Sequence, residues 1–481
     1  MVLLDFVRVA FALGVVSIAP GWLALRLWRR RAPGLSLGDL PLAFSLSVAA
    51  VSFLALAGWA LSLPLTLLLG LALAAAAATV GLLAWDARRR VEWRRLGNLR
   101  SALASLSPPT LGVLTLALAA VGLAAWEGIW FGTAGDRFYH LAAIRSLVAE
   151  DALLVEEVIY ADAPSGLDPT SGSWHTALAA VVRLSGLDVV DVWPLLPLLI
   201  APLVVVAFYS FALVLLESRG QALGATVLQF AVFWALDFRD VAFPNHMGWV
   251  LLWTALALSL LYMRRGHRRY GLAAAAIAVA LALVHLILAE FFFIALGAFL
   301  LGLLLFARRA DSRRELARGA QVLVVALLLA VPIAALQTDV GDVLAGGTSG
   351  PSRTDPRPSN PWPGAVFSDR DPIGFFPGRF TAGTLAYLAT VLLLPAALRG
   401  ERRALFLVAN MAVVPVIVLN DPLLDFLRPR LGLLALLRLP FILPGPLVLA
   451  VALNGARGWL ERWRPRGLVV SRAERRRQQR D

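Results

Sequence analysis

The chain has 481 residues, of which 59% are hydrophobic, and apolar stretches of membrane-spanning length recur along it. A span needs about 20 predominantly apolar residues, so the composition excludes a single soluble globular core and predicts an all-α, polytopic membrane protein. The absence of cysteine excludes disulfides, thiolate metal sites and a cysteine nucleophile. The net charge of +13 comes from arginine clusters that follow apolar segments, which is typical of cytoplasmic loops rather than of nucleic-acid binding.

Hydropathy and the arginine clusters together predict about thirteen transmembrane helices. They are expected at residues 9–28, 40–58, 65–85, 111–130, 190–216, 220–236, 247–263, 270–288, 290–307, 320–337, 383–398, 404–420 and 433–454. The first segment is interpreted as a retained helix and not a cleaved signal peptide, because its strong basic cluster follows the apolar stretch. This alternation puts the amino terminus outside and the carboxyl terminus in the cytoplasm of a bacterial plasma membrane.

The same pattern predicts three regions. Residues 1–110 hold the amino-terminal helices, residues 111–457 form a transmembrane core, and residues 458–481 form a basic cytoplasmic tail. The core carries two long external loops, at residues 131–187 and 338–382, and long loops of this kind are typical of lids and binding elements or of disorder.

Two short interfacial helices are expected within the first external loop, at residues 136–150 and 174–186. In the first of them Phe138, Leu141, Ile144 and Val148 form an apolar stripe that suits a membrane surface.

The first external loop contains the most informative candidate residues. Asp136 and His140 are four residues apart, so on a helix they share one face. Ionisable groups at this depth in a membrane protein are typical of a functional site, and we take both as catalytic candidates. A carboxylate at a helix start also favours the helix dipole, so Asp136 as an N-terminal cap is the alternative. His175, further along the loop, is a candidate substrate-binding residue.

A second candidate cluster joins two predicted spans at the same face. Asp240 and His246 lie in it as candidate substrate-binding residues. With Asp136 they also form a candidate site for a divalent cation such as Mg²⁺ or Mn²⁺, because hard cations prefer carboxylate oxygens. The alternative is a solvated turn, in which Pro244 and Asn245 simply interrupt the helix.

Four further residues are candidates for substrate binding. His285 and Glu290 mark a turn between two very apolar helices, where Glu290 is expected to face protein or a hydrated cavity and to pair with His285 or an arginine. Arg428 and Arg438 fall at the outer end of the last span, against the usual charge rule. A guanidinium suits phosphate oxygens, although Arg438 in a buried ion pair is an equally open interpretation.

A family resemblance rests on short motifs. The stretch Asp136-Arg137-Phe138-Tyr139-His140-Leu141, followed by Ile144-Arg145, resembles the Asp-x-Tyr-Tyr-His-Leu-type sequence in the first external loop of oligosaccharyltransferase catalytic subunits. Downstream, Pro164-Ser165-Gly166, Trp174 and the segment 184–188 are similar to the Pro-x-Gly and Trp elements of that loop. The wider group is the GT-C membrane glycosyltransferases, which also includes protein mannosyltransferases and lipid A aminoarabinose transferases.

The resemblance covers residues 111–260 in detail and implies a glycosyltransferase that uses a polyprenyl-phosphate-linked sugar at the outer face. It implies that Asp136 activates a lipid, glycan or protein acceptor or binds a metal, and that Arg438 or Arg428 holds the donor phosphate. The chain departs from an oligosaccharyltransferase proper, since it contains neither a Trp-Trp-Asp motif nor a large soluble carboxyl-terminal domain. The helices within residues 1–110 are also additional to the usual core of the group, which the resemblance places at residues 111–457. The alternatives are a transporter or lipid flippase, a polysaccharide polymerase or ligase, and a catalytically dead relative.

Overall fold

A computed structural model describes residues 2–29, 37–89, 106–130, 137–153, 172–233, 241–306, 310–337, 382–418 and 444–463, together with 420, 422–423 and 425–427. Within these residues the protein is all-helical and contains no strand, as predicted from the composition. Four predicted site residues, Asp136, Asp240, Arg428 and Arg438, lie outside the described residues, as does nearly all of the predicted loop 338–382.

We number the α-helices in chain order. The amino-terminal half contains α1 (Val2–Ser17), α2 (Ala19–Arg29), α3 (Asp39–Leu61), α4 (Leu65–Arg89), α5 (Pro108–Trp130), α6 (Arg137–Glu150), α7 (Ser173–Ser185), α8 (Val189–Val192) and α9 (Leu196–Leu216). A 3₁₀ turn, Trp193–Leu195, joins α8 to α9.

The carboxyl-terminal half contains α10 (Arg219–Leu228), α11 (Pro244–Arg265), α12 (Arg268–Val284), α13 (Leu286–Phe306), α14 (Ala310–Gln337), α15 (Ala382–Leu398), α16 (Arg402–Val418) and α17 (Gly445–Trp463). A π-helical turn, Gln229–Phe233, extends α10.

Seven helical segments in the described residues are long and apolar enough to cross a membrane, or eight if the bent pair α1–α2 is one span. The seven are α3, α4, α5, α8 with α9, α11, α13 and α14. Each of the other predicted spans overlaps a helix, but α12, α15 and α16 have only 17 residues each. The structure therefore supports a multi-pass membrane protein, while the count of thirteen is not confirmed.

The predicted first span is two helices, with a bend of 40° between α1 and α2. Pro20 lies just after the break at Ile18, and proline interrupts the helical hydrogen-bond ladder. The amide of Gly21 instead donates to Ser47 Oγ on α3, at 2.7 Å. A Cβ at Gly21 would lie 1.9 Å from the Ala43 carbonyl oxygen, so glycine is what allows α2 to approach α3 this closely.

The amino-terminal helices are packed into the core. α3 contacts α7, α9, α11 and α12, and α1 packs along α7. Hence α1 and α3, which belong to the predicted amino-terminal addition at 1–110, form one wall of the region that carries the candidate site. Their separation from the core at residue 110 stays a prediction from the resemblance.

Arginine-rich helix junctions meet at one end of the bundle, which we call the arginine end and define by the junctions α9–α10, α11–α12, α13–α14 and α15–α16. Side chains of one junction bond to the next: Arg264 to Glu217 (2.6 Å), Arg318 to the Met263 carbonyl (2.9 Å), Arg402 to Glu315 (2.7 Å) and Arg403 to the Leu216 carbonyl (2.8 Å). The charge pattern in the sequence thus corresponds to a physical grouping.

Candidate functional site

The predicted external loop contributes two helices at the opposite end of the bundle. They are α6 and α7, close to the predicted bounds 136–150 and 174–186. Asp188 accepts from the Val190 amide at 2.9 Å and caps the short helix α8 that follows. This hydrogen bond, followed by the Arg145 guanidinium at 2.8 Å, lowers the pKa of the Asp188 carboxyl.

These two helices pack against the rest of the protein more than helices that lie on a membrane surface would. In α7 every residue from Ser173 to Val182 is buried inside the protein, packed by α1, α3 and α6. In α6 the predicted apolar stripe is divided, because Ile144 is fully buried while Phe138 is 71% exposed. A helix with small residues, such as α7, packs closely between neighbours, which its apolar periodicity alone does not distinguish from surface binding.

The described part of the site is centred on two histidines from α6 and α7. His140 Nδ1 lies 2.7 Å from His175 Nε2, and His175 Nδ1 lies 3.1 Å from the Gly172 carbonyl oxygen. The two ring planes differ by 17° with centroids 5.0 Å apart. With a hydrogen bond joining two ring nitrogens, this geometry fits imidazoles arranged edge to edge in nearly one plane rather than face to face.

Elementary hydrogen-bond chemistry assigns the protons of this pair. A carbonyl oxygen only accepts, so the Nδ1 of His175 carries the hydrogen that it donates to Gly172. Complete burial lowers the pKa of His175 to about 4, which keeps the ring neutral at physiological pH and makes its Nε2 an acceptor. His140 must then donate through Nδ1, and its Nε2 is the nitrogen through which it can accept a proton.

Aromatic rings surround His140. The Trp193 ring lies nearly parallel to it at 9° with centroids 5.9 Å apart, the Phe243 centroid lies 4.8 Å away, and the Tyr139 ring stands edge-on at 5.5 Å. Phe243 also contacts His246, whose centroid lies 5.9 Å from it. Sequence reasoning did not single out Trp193 or Phe243 as site residues, since an aromatic residue at a helix start is more often a packing residue.

Gly172 positions the acceptor carbonyl of the pair. A Cβ at this position would lie 2.5 Å from the Leu283 carbonyl oxygen and 2.6 Å from that of Val284, at the end of α12. Glycine therefore permits the start of α7 to touch the end of α12, immediately before His285. The glycine directly before Ser173-Trp174-His175 could be noticed in the sequence. Its contact with the end of α12 could not.

Polar contacts from the amino-terminal helices also hold α7. Ser52 Oγ on α3 lies 2.6 Å from Ser173 Oγ, and the Phe44 and Trp174 rings meet edge to face at 5.8 Å. Trp174 Nε1 donates to the Ala242 carbonyl at 2.7 Å, which ties α7 to the segment that leads into α11. These contacts brace His175 from two directions.

The other predicted site residues are divided between the described part and the rest of the chain. His246 is 6% exposed at the start of α11, and His285 is the single residue between α12 and α13. Glu290 lies five residues further along, and within the described residues it makes no ion pair with His285 or with an arginine. His285 has extended backbone before the helix that carries Glu290, and the expected pairing of these two residues is not observed.

No group of three or more His, Asp or Glu side chains suited to a metal ion is found among the described residues. Two of the three predicted ligands, Asp136 and Asp240, fall outside those residues, so the cation site stays a prediction. In the sequence Asp136 directly precedes α6, and Asp240 directly precedes the segment that Trp174 contacts.

Comparison with protein-family models found no match for this chain, and comparison with curated proteins found none either. The resemblance to GT-C glycosyltransferases consequently still rests on the short motifs in the sequence.

Proposed function

We propose that this protein is a membrane glycosyltransferase that moves a sugar from a polyprenyl-phosphate-linked donor to a lipid, glycan or protein acceptor at the outer face of the membrane. The observation that carries the proposal is the hydrogen-bonded pair His140–His175. Its two helices are too short to span a membrane and lie at the end of the bundle opposite the arginines. Buried imidazoles with an ordered proton arrangement suit acid–base chemistry better than packing.

The proposed reaction balances as a simple displacement. The acceptor hydroxyl oxygen forms a bond to the anomeric carbon, while the bond from that carbon to the donor phosphate oxygen breaks and leaves its electron pair on the phosphate. The hydroxyl proton passes to a base, for which Asp136 and the Nε2 of His140 are the candidates. Because His175 accepts the Nδ1 hydrogen of His140, it is a positioning residue that would stabilise the imidazolium formed on His140.

The remaining candidates have roles on the donor side. Negative charge develops on the departing phosphate, and an arginine such as Arg438 or Arg428 would stabilise it. A divalent cation held by Asp136, Asp240 and His246 would supply the same stabilisation when bound. His246 and His285 lie at the same end of the bundle as the pair, as their positions at the start of α11 and the end of α12 require.

The proposed orientation puts the histidine pair outside and the arginine end in the cytoplasm. The support is that arginine clusters mark cytoplasmic loops and that four arginine-rich junctions bond to one another at the arginine end. A polyprenyl-phosphate donor with its head group at the outer surface would then be accessible to His140 and Asp136.

The test is transfer of radiolabelled sugar from polyprenyl-phosphate donors in membranes that contain the wild-type protein. Asp136→Ala and His140→Gln should each reduce transfer, whereas Arg145→Ala should not. Arg145 lies on the same helix as His140 and forms an exposed ion pair with Asp188, so it is a matched control. Undiminished transfer by Asp136→Ala would remove that residue from the mechanism.

The alternatives predict other outcomes of the same experiment. A transporter or flippase would move lipid-linked sugar between leaflets without forming a new glycosidic bond. A polysaccharide polymerase or ligase would give products whose length grows with time. Complete lack of transfer and of movement by the wild type would indicate a catalytically dead relative.

A further inference from the structure

The arginine end contains a large cavity that the proposed chemistry does not use. Its volume is about 900 Å³, and it lies between the start of α3, the start of α5 and the ends of α9 and α11. A volume of this size is typical of sites for small organic ligands. The histidine pair lies at the other end of α9 and α11, so the two features are separate.

The cavity wall is amphiphilic. One part consists of leucines, among them Leu213, Leu258 and Leu261, and another carries the guanidinium groups of Arg219 and Arg265. An occupant that matches both parts has an apolar chain and an anionic head.

Two arginines at the cavity have no carboxylate partner in the part of the chain that the structure describes. Among the described residues neither Arg219 nor Arg265 forms an ion pair, while the neighbouring Arg264 is bound to Glu217 at 2.6 Å. Glu217 also lies 3.7 Å from Arg403, so its negative charge is already shared between two guanidiniums. Asp39, which also lines the cavity, is 2% exposed and has interactions of its own. The charge available to a ligand is therefore positive.

A hydroxyl at the cavity wall provides an independent indication. Tyr209 lines the cavity, and its hydroxyl is accessible there and makes no hydrogen bond to any described residue. Arg219 lines the same cavity, so one ligand can contact both residues. An accessible hydroxyl can donate to an anionic ligand oxygen, which the Arg219 guanidinium would also attract.

We propose that this cavity binds a lipid with a phosphate head group. Arg219 and Arg265 hold the phosphate through charge-assisted hydrogen bonds, Tyr209 donates its hydroxyl hydrogen, and the lipid chain lies along Leu213, Leu258 and Leu261. The source of the phosphate is either a membrane phospholipid or a polyprenyl phosphate, and both present the same chemistry to these residues. The site is independent of the proposed transferase chemistry at the opposite end.

The experiment is native mass spectrometry of the full chain in detergent, titrated with phosphatidic acid, with polyprenyl phosphate and with diacylglycerol. Phosphatidic acid and diacylglycerol share their chains and differ in the phosphate. The double variant Arg219→Ala/Arg265→Ala should bind phosphatidic acid about tenfold more weakly, as expected for the loss of charge-assisted hydrogen bonds. Tyr209→Phe, which conserves shape and folding, should weaken binding by about threefold.

Arg313→Ala/Arg314→Ala is the matched control, because these exposed arginines at the same end of the bundle carry the same charge and lie outside the cavity lining. If both double variants lost phosphatidic acid binding to the same extent, the proposal would be overturned, since the binding would then be unspecific attraction to the basic surface. Equal binding of diacylglycerol and phosphatidic acid by the wild type would overturn the proposal as well. Equal binding of the two phosphate lipids would identify the head group as what is recognised, and preference for polyprenyl phosphate would identify the chain.

Discussion

The two ends of the helix bundle use polar residues in opposite ways. At the histidine end, His175 is fully buried and each ring nitrogen has one assigned partner, so the network has little freedom. At the arginine end the ion pairs of Glu217 are half-exposed, with Glu217 55% exposed beside Arg264, although the Glu315 carboxylate paired with Arg402 is buried. Buried networks respond strongly to the loss of one member, whereas exposed pairs contribute little. The difference indicates a site with a fixed proton arrangement at one end and an adaptable basic surface at the other.

The largest effect is expected from His140→Phe. The substitution keeps an aromatic ring beside Trp193 and Phe243 but removes the nitrogen that can accept a proton. On the proposed function, kcat/KM for sugar transfer should fall by about 10²- to 10⁴-fold, the usual contribution of general acid–base catalysis. Transfer assays in membranes with equal protein levels measure this, and an unchanged rate would show that the pair is structural.

A pH-dependent loss of stability is the next largest effect. The pKa of His175 is about 4 in the folded protein, against 6.5 for a free imidazole. Between about pH 6.5 and pH 4 the imidazole of residue 175 therefore binds a proton in the unfolded chain but not in the folded protein. The free energy of unfolding consequently decreases as the pH falls from about 6.5 to about 4. The difference between these two pKa values corresponds to about 3 kcal/mol.

Denaturation in detergent at several pH values, compared between the wild type and His175→Gln, isolates this contribution. The glutamine oxygen can still accept from His140 but does not titrate. The variant should lose the pH-dependent difference, and identical pH profiles for both proteins would contradict the assigned neutral state of His175.

Gly172→Ala should destabilise the histidine end by about 1–3 kcal/mol, because overpacking against fixed backbone is not readily relieved. The added Cβ would meet the carbonyl oxygens of Leu283 and Val284. Gly224→Ala is the matched control, since its Cβ meets nothing within 4 Å on α10. Thermal unfolding in detergent should show a lower midpoint for Gly172→Ala alone; equal midpoints would mean that α7 and α12 are further apart.

The smallest effect is expected at the arginine end. Glu217→Gln removes a half-exposed carboxylate beside Arg264 and Arg403, and it should change the free energy of unfolding by less than about 1 kcal/mol. A loss as large as that of Gly172→Ala would show that the two ends do not differ as described.

Part of the candidate site was accessible from the sequence. Short helices near 136–150 and 174–186 were predicted, and His140 and His175 were both named from local polar residues in an apolar chain. The hydrogen bond between them joins residues 35 apart and depends on how α6 packs on α7, so spacing alone did not reveal it. The expected pairing of Glu290 with His285 is not observed, since Glu290 lies on α13 whereas His285 has extended backbone before that helix begins at Leu286.

The sequence by itself determined the class of the protein and the distribution of its charge, because hydrophobic length and arginine placement act locally and are readable along the chain. Only the tertiary structure decided which polar groups meet. The burial of α7 by α1 and α3, the approach of Gly172 to α12 and the cavity beside Tyr209 all depend on contacts between helices distant in sequence. Such contacts follow from shape complementarity between packed surfaces, which no single periodic pattern encodes.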